Sequence, residues 1–122
     1  MIHGIDHVQI TIPPGAEDAA RDFYCRILGL PELIKPQTLR TRGGIWLRVG
    51  DRQVHVGVEE GVNRRATKAH VAYSVTDLGL WRSLLSARGI EIMDGSPIPG
   101  YDRFEFRDPF GNRVEFIQAL PG

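Results

Sequence analysis

Cysteine is nearly absent. Cys25 is the single thiol in 122 residues, so no disulfide can form within the chain. That fits a reducing compartment, and a cytoplasmic protein is expected. Long apolar runs are missing too. None approaches the ~20 residues that cross a bilayer, and the N-terminus lacks the basic and apolar regions of a secretory signal. No membrane partner is expected. Charge of one sign is also missing, because 15 Lys and Arg residues are balanced by 15 Asp and Glu. With no dense basic block, nucleic acid is not an expected partner. Hydrophobic residues make up 42% and charged residues 25%, the balance of a soluble globular domain long enough to bury a core.

A repeated pattern stands out against these absences. Residues 69–75, Ala-His-Val-Ala-Tyr-Ser-Val, restart a strand pattern already used at residues 6–12, Asp-His-Val-Gln-Ile-Thr-Ile. Side chains alternate along a strand. In the first copy Val8, Ile10 and Ile12 form an apolar face, while His7, Gln9 and Thr11 point the other way. In the second, Val71, Tyr73 and Val75 oppose His70, Ala72 and Ser74.

A helix is predicted after each strand. Residues 16–28 carry the stripe Ala20, Phe23, Tyr24, Ile27 and Leu28, with Gly29 as a stop. Cys25 lies off that stripe and reads as an inert thiol. In the second half Thr76 or Asp77 caps a helix whose stripe is Leu78, Trp81, Leu84 and Leu85, with Gly89 as its stop.

Strands follow in both halves. A short one is expected near Leu33–Ile34, then Ile45–Val49 and Gln53–Val58 around the Gly50-Asp51 turn. Gln53, His55 and Gly57 face away from Val54, Val56 and Val58, and Trp46 and Arg48 should share the face of His55. Residues 59–68 read as a solvated linker. In the second half the expected strands are Ile90–Met93, Phe104–Arg107 and Arg113–Gln118. A Pro/Gly-rich loop spans 94–101, and Asp-Pro-Phe-Gly-Asn at 108–112 is a strong turn.

His7 and His70 are 63 positions apart, and His55 and Glu115 are 60 apart. Nearly equal offsets are what an internal duplication leaves. Each half reads strand–helix–strand–strand–strand, and two halves together can bury apolar sheet faces under helices. The expectation is an α+β fold in a single domain over residues 1–122, with module one about 1–60 and module two about 68–120. Parity alone puts His7, His55, His70 and Glu115 on the more polar faces, which would curve into a cavity.

The chain resembles the vicinal-oxygen-chelate superfamily, also called the glyoxalase/bleomycin-resistance/dioxygenase family. The resemblance covers nearly the whole chain. It is carried by Asp-His-Val-Gln-Ile, by the helix ending Phe-Tyr-Cys-Arg-Ile-Leu-Gly-Leu, by Ala-His-Val-Ala-Tyr-Ser-Val, and by Asp-Pro-Phe-Gly-Asn-Arg-Val-Glu-Phe. It implies two βαβββ modules forming a cup-shaped mixed sheet with helices outside. It also implies a homodimer in which His7 and His55 meet His70 and Glu115 of the partner subunit.

By that resemblance His7, His70 and Glu115 are metal ligands. Such a set leaves open positions and suits one divalent transition metal (Fe, Mn, Ni, Co or Zn). Where glyoxalase-type members carry a metal-binding Glu that also moves protons, this chain has His55. It is either a fourth ligand or a catalytic base beside the metal, and its ordinary pKa near 6.5 suits the second role. Glu115 is the other catalytic candidate. Gln9, Trp46, Arg48, Gln53, Arg103 and Glu105 are candidate substrate contacts, and Tyr101 is a candidate lid residue on the Pro/Gly loop.

The leading expectation is a metal-dependent lyase or isomerase acting on a small molecule chelated through neighbouring oxygens. One alternative is an extradiol-type dioxygenase, although those chains are commonly longer. Another is a fosfomycin-type thiol transferase, although the lysine expected before Tyr101 is missing. A non-enzymatic alternative is a bleomycin-type sequestering protein. Such relatives usually lack the metal ligands that this chain keeps.

Overall fold

Two stretches of alternating residues become parallel partners in the computed structural model, which describes all of Met1–Gly122. They are β1 (His7–Ile12) and β4 (Arg52–Val58), paired from His7↔Gln53 to Ile12↔Val58. Between them lie helix α1 (17–27), β2 (Glu32–Leu33), a 3-10 turn over Gln37–Arg42, and β3 (Ile45–Val49). Antiparallel pairing of β3 with β4 and with β2 completes a mixed four-stranded sheet in the order β1-β4-β3-β2. The second half repeats the plan. It runs β5 (His70–Ser74), helix α2 (Leu78–Ala87), β6 (Met93–Asp94), β7 (Tyr101–Arg107) and β8 (Arg113–Ala119), in sheet order β5-β8-β7-β6. The backbone therefore forms two separate mixed sheets. The chain divides into two compact units, Met1–Val62 and Asn63–Gly122.

The apolar face of the first sheet is buried through Ile12, Ile45, Leu47, Val54 and Val56, and α1 contributes Ala20, Phe23, Tyr24 and Leu28 to the same core. This helix departs from the expected regular stripe. It starts as α-helix over Glu17–Ala20 and continues as π-helix over Arg21–Ile27. The amide of Leu28 donates to the Phe23 carbonyl at 3.0 Å, five residues back. One extra residue per turn turns Ile27 partly to the surface while Tyr24 stays fully enclosed. Gly29 follows with φ 79°, the left-handed conformation in which a helix commonly ends on glycine.

In the second unit Tyr73, Leu78, Leu85, Phe104, Phe106, Val114 and Phe116 form the core. Trp81 meets Phe116 edge-on at 5.1 Å, an arrangement aromatic pairs favour. Asp77 caps α2, its Oδ1 accepting from the Leu80 amide at 3.0 Å. Of the expected buried stripe, Leu84 is exposed, whereas Leu78 and Leu85 fill the core. The 108–112 turn is held by Asp108, whose Oδ1 accepts from the amides of Phe110 (2.9 Å) and Asn112 (2.8 Å).

Two further expectations are corrected. The strand placed at Ile90–Met93 is Met93–Asp94. Tyr101 does not sit on the Pro/Gly loop. It is the first residue of β7, paired with Ala119 at the sheet end.

Candidate functional site

Pairing register decides which polar side chains meet. In the first unit Trp46 is the direct partner of His55, and Gln9 is its partner on the other side. Directly opposed residues share a face, so His7, Gln9, Gln53, His55 and Trp46 all project from one side of the sheet. The rings of Trp46 and His55 stack at 3.9 Å with an interplanar angle of 2°. His7 stacks on the other face of His55 at 4.0 Å and 18°. His55 is thus the middle ring of three.

Both nitrogen assignments follow from the partners. Asp6 Oδ1 accepts from His7 Nδ1 at 2.9 Å, which leaves His7 Nε2 as the bare nitrogen. Gln53 Oε1 accepts from His55 Nε2 at 2.8 Å, which leaves His55 Nδ1 bare. Burial lowers the His55 pKa from its usual 6.5, and repulsion from neighbouring His7 adds to the shift, against a smaller opposing pull from Asp6. His55 is therefore a neutral base near neutral pH.

These rings line a cleft of about 520 Å³ together with Gln9. The side chain of Gln9 crosses Gly57, where an added Cβ would lie 3.0 Å from its Nε2. Lys35, Leu39 and Arg42 complete the wall. These three were not anticipated, since residues 31–42 show no strand or helix period. The only signal was the cluster of basic residues at 35, 40 and 42. Gln53 supports His55 and does not line the cleft, and Arg48 is exposed and outside it.

The second unit presents the same addresses with different chemistry. Glu115 stands where His55 stands and faces Glu105 across the strands, as His55 faces Trp46. Two carboxylates directly opposite repel. Arg103 resolves this, reaching Glu115 Oε1 at 3.1 Å and Glu105 Oε1 at 3.4 Å. Arg113 grips Glu105 through Nε and Nη2. Arg103 itself fits because residue 95 is glycine, as a Cβ there would sit 2.7 Å from the guanidinium.

His70 carries the most informative contact. Its Nδ1 bonds the Lys68 carbonyl at 2.9 Å. A carbonyl only accepts, so Nδ1 carries a proton. Its Nε2 then faces Glu115 Oε1 at 3.1 Å. The ring nitrogen and the carboxylate oxygen are both atoms that a divalent cation can bind.

Of the expected site residues, His7, Gln9, Trp46 and His55 meet in the first unit. His70, Arg103, Glu105 and Glu115 meet in the second. Tyr101 is exposed at the end of β7. Neither cluster gathers three metal-binding side chains, so the expected ligand set is divided between the units. Its chemistry still fits a divalent metal, because Nδ1 of His7 is anchored by Asp6 and Nδ1 of His70 by the Lys68 carbonyl, which leaves Nε2 of each ring as the ligand atom, that of His70 turned toward Glu115.

The Glyoxalase/Bleomycin resistance protein/Dioxygenase superfamily matches residues 4–116. The chain belongs to this superfamily. A putative glyoxalase family protein from Bacillus anthracis is 42% identical, covers 98% of each chain and superposes with a TM-score of 0.91. A mutant of the fosfomycin resistance protein FosX from Listeria monocytogenes was solved with Mn(II) and 1S,2S-dihydroxypropylphosphonic acid. It is 15% identical over 98% of this chain and 95% of its own, with a TM-score of 0.81. An integron cassette protein from the mobile metagenome of V. cholerae is 22% identical over 98% of each chain, with a TM-score of 0.74. The last two likenesses concern the fold alone. No curated protein matches the chain. No helix is long and apolar enough to cross a membrane.

Proposed function

We propose that this superfamily member is a metal-dependent lyase or isomerase acting on a small molecule chelated through neighbouring oxygens. One divalent transition metal would be held by His7, His70 and Glu115, with the ligands drawn from two subunits of a cytoplasmic homodimer. When bound, such a metal stabilises negative charge developing on substrate oxygen. His55 is the proton acceptor through its bare Nδ1. Gln53 fixes its tautomer, and Trp46 and His7 hold its plane. Burial keeps it neutral and ready to take a proton.

The observation that carries this reading is the His70 Nε2–Glu115 Oε1 contact at 3.1 Å with Nδ1 already committed to Lys68. A drug-sequestering cup would have no need of that arrangement. A thiol transferase is disfavoured because the 94–101 loop has no lysine, and the Arg103 guanidinium fills the space beside Gly95.

Metal analysis of tag-free protein, wild type and His70→Ala, tests the reading. About one transition metal per chain, lost in the variant, is expected. No uptake by the wild type, even after reconstitution, would overturn it in favour of a ligand-binding cup.

A further inference from the structure

The first-unit cleft has an electrostatic bias that the proton-transfer chemistry does not use. No carboxylate lines it, yet two basic side chains do, Lys35 just before the 3-10 turn Gln37–Arg42 and Arg42 at its last position. Arg21, Arg26, Arg82, Arg103 and Arg113 each hold a carboxylate. Arg42 holds none, and all five of its N–H donors are free of side-chain acceptors. Lys35 is half-buried and spends one donor on the Gly43 carbonyl at 2.6 Å, which leaves two. Glu17 is the acid within electrostatic reach of Lys35. Its Oε2 is already taken by the Gly44 amide at 3.0 Å, and it does not line the cleft.

The remaining walls are chosen differently. Trp46 and Leu39 offer apolar surface, and Gln9 offers an amide laid over Gly57. An apolar wall beside an unpaired guanidinium and a half-buried ammonium matches a compact organic molecule with a negatively charged end. Arg suits both carboxylate and phosphonate through its planar fork.

We propose that the substrate is a small organic oxyanion, a carboxylate or a phosphonate, whose charged end is held by Lys35 and Arg42 and whose body lies along Trp46. This rests on the reading of the cleft as the substrate site, and it names the class of molecule the cleft takes.

The test uses metal-free protein, so its outcome is independent of metal uptake. The chain has two tryptophans, and Trp81→Phe leaves Trp46 as the reporter. Phenylphosphonate, benzoate and the neutral analogue benzyl alcohol are titrated while Trp46 fluorescence is followed. Calorimetry on the unsubstituted protein repeats the measurement without Trp81→Phe. Saturable binding of an anion is expected, at least tenfold weaker in Arg42→Gln and in Lys35→Gln and unchanged in Arg26→Gln, an exposed helix control. Binding should also weaken as ionic strength rises. The tighter of the two anions identifies the class. Equal response to benzyl alcohol, anion binding indifferent to Arg42→Gln, or no saturation would overturn the proposal. Failure to take up metal alongside intact anion binding would overturn the enzyme reading alone.

Discussion

The imidazole of His55 lies flat against the indole of Trp46, 3.9 Å away and 2° from parallel, and the two residues are direct partners across β3 and β4. A ring clamped this way, with His7 on its far side, rests neutral and holds a transferred proton only weakly, because a charged ring would lose solvation and face another imidazole.

Stability should record that penalty. Folding lowers the His55 pKa below 6.5, so the neutral form is the one that folding favours. This stabilising contribution is present above 6.5 and is lost as pH falls through the lowered folded value. Thermal unfolding of wild type and His55→Gln between about pH 7 and pH 5 checks it. The wild-type midpoint should fall more steeply than that of the variant, which has no group to protonate there. Parallel curves would remove His55 from the pH response.

Gly44 should be among the least replaceable residues. Its φ is 80°, and an added Cβ would lie 2.1 Å from the Val56 carbonyl oxygen. Gly44→Ala should cost about 3 kcal/mol or more, from backbone strain together with the clash. Gly50 also has positive φ but nothing within 4 Å of an added Cβ, so Gly50→Ala should cost only about 1 kcal/mol. Denaturant titrations of the two variants give the comparison.

Glu115→Gln separates charge from shape. The amide fills the same space yet cannot serve as an anionic ligand, so metal affinity should drop at least tenfold while the fold is kept. Arg103 would keep Glu105 as its partner, and circular dichroism should be unchanged. Metal retained at full stoichiometry would exclude Glu115 as a ligand.

Mixed assemblies test the shared site. His7→Ala and His70→Ala chains should each bind no metal alone. Co-refolded, they should recover metal in part, because some dimers then contain one intact set of ligands. No recovery, with mixing verified by isotope-labelling one of the two chains, would place the whole set within one chain.

Much of the fold was legible because strands write a period of two. Ile45–Val49 is observed with the expected ends, and the placement of Trp46 on the face of His55 follows from parity across a two-residue turn. The π-helical turn at Arg21–Ile27 was not legible, since the apolar stripe from Ala20 to Leu28 reads the same for a regular helix. Leu84 was misplaced for a related reason: i, i+3 and i+4 spacing marks a face broader than the strip a short helix buries. Tyr101 was assigned to the loop because Pro99 and Gly100 precede it, whereas β7 begins directly after that pair. At the candidate site, residues on strands could be placed by register. Lys35 and Arg42 could not, because a 3-10 turn between strands leaves no periodic trace.

The matched registers of the two sheets have a consequence for how this protein can change. Residues 46 and 55 in the first unit occupy the addresses of 105 and 115 in the second, yet one pair is aromatic and the other acidic. A duplicated gene segment that keeps its hydrogen-bond ladder can exchange nitrogen donors for oxygen donors one facing pair at a time without renegotiating the scaffold. Variation at these paired addresses is therefore where new chemistry would arise first, and libraries built on the chain should vary them as couples rather than singly.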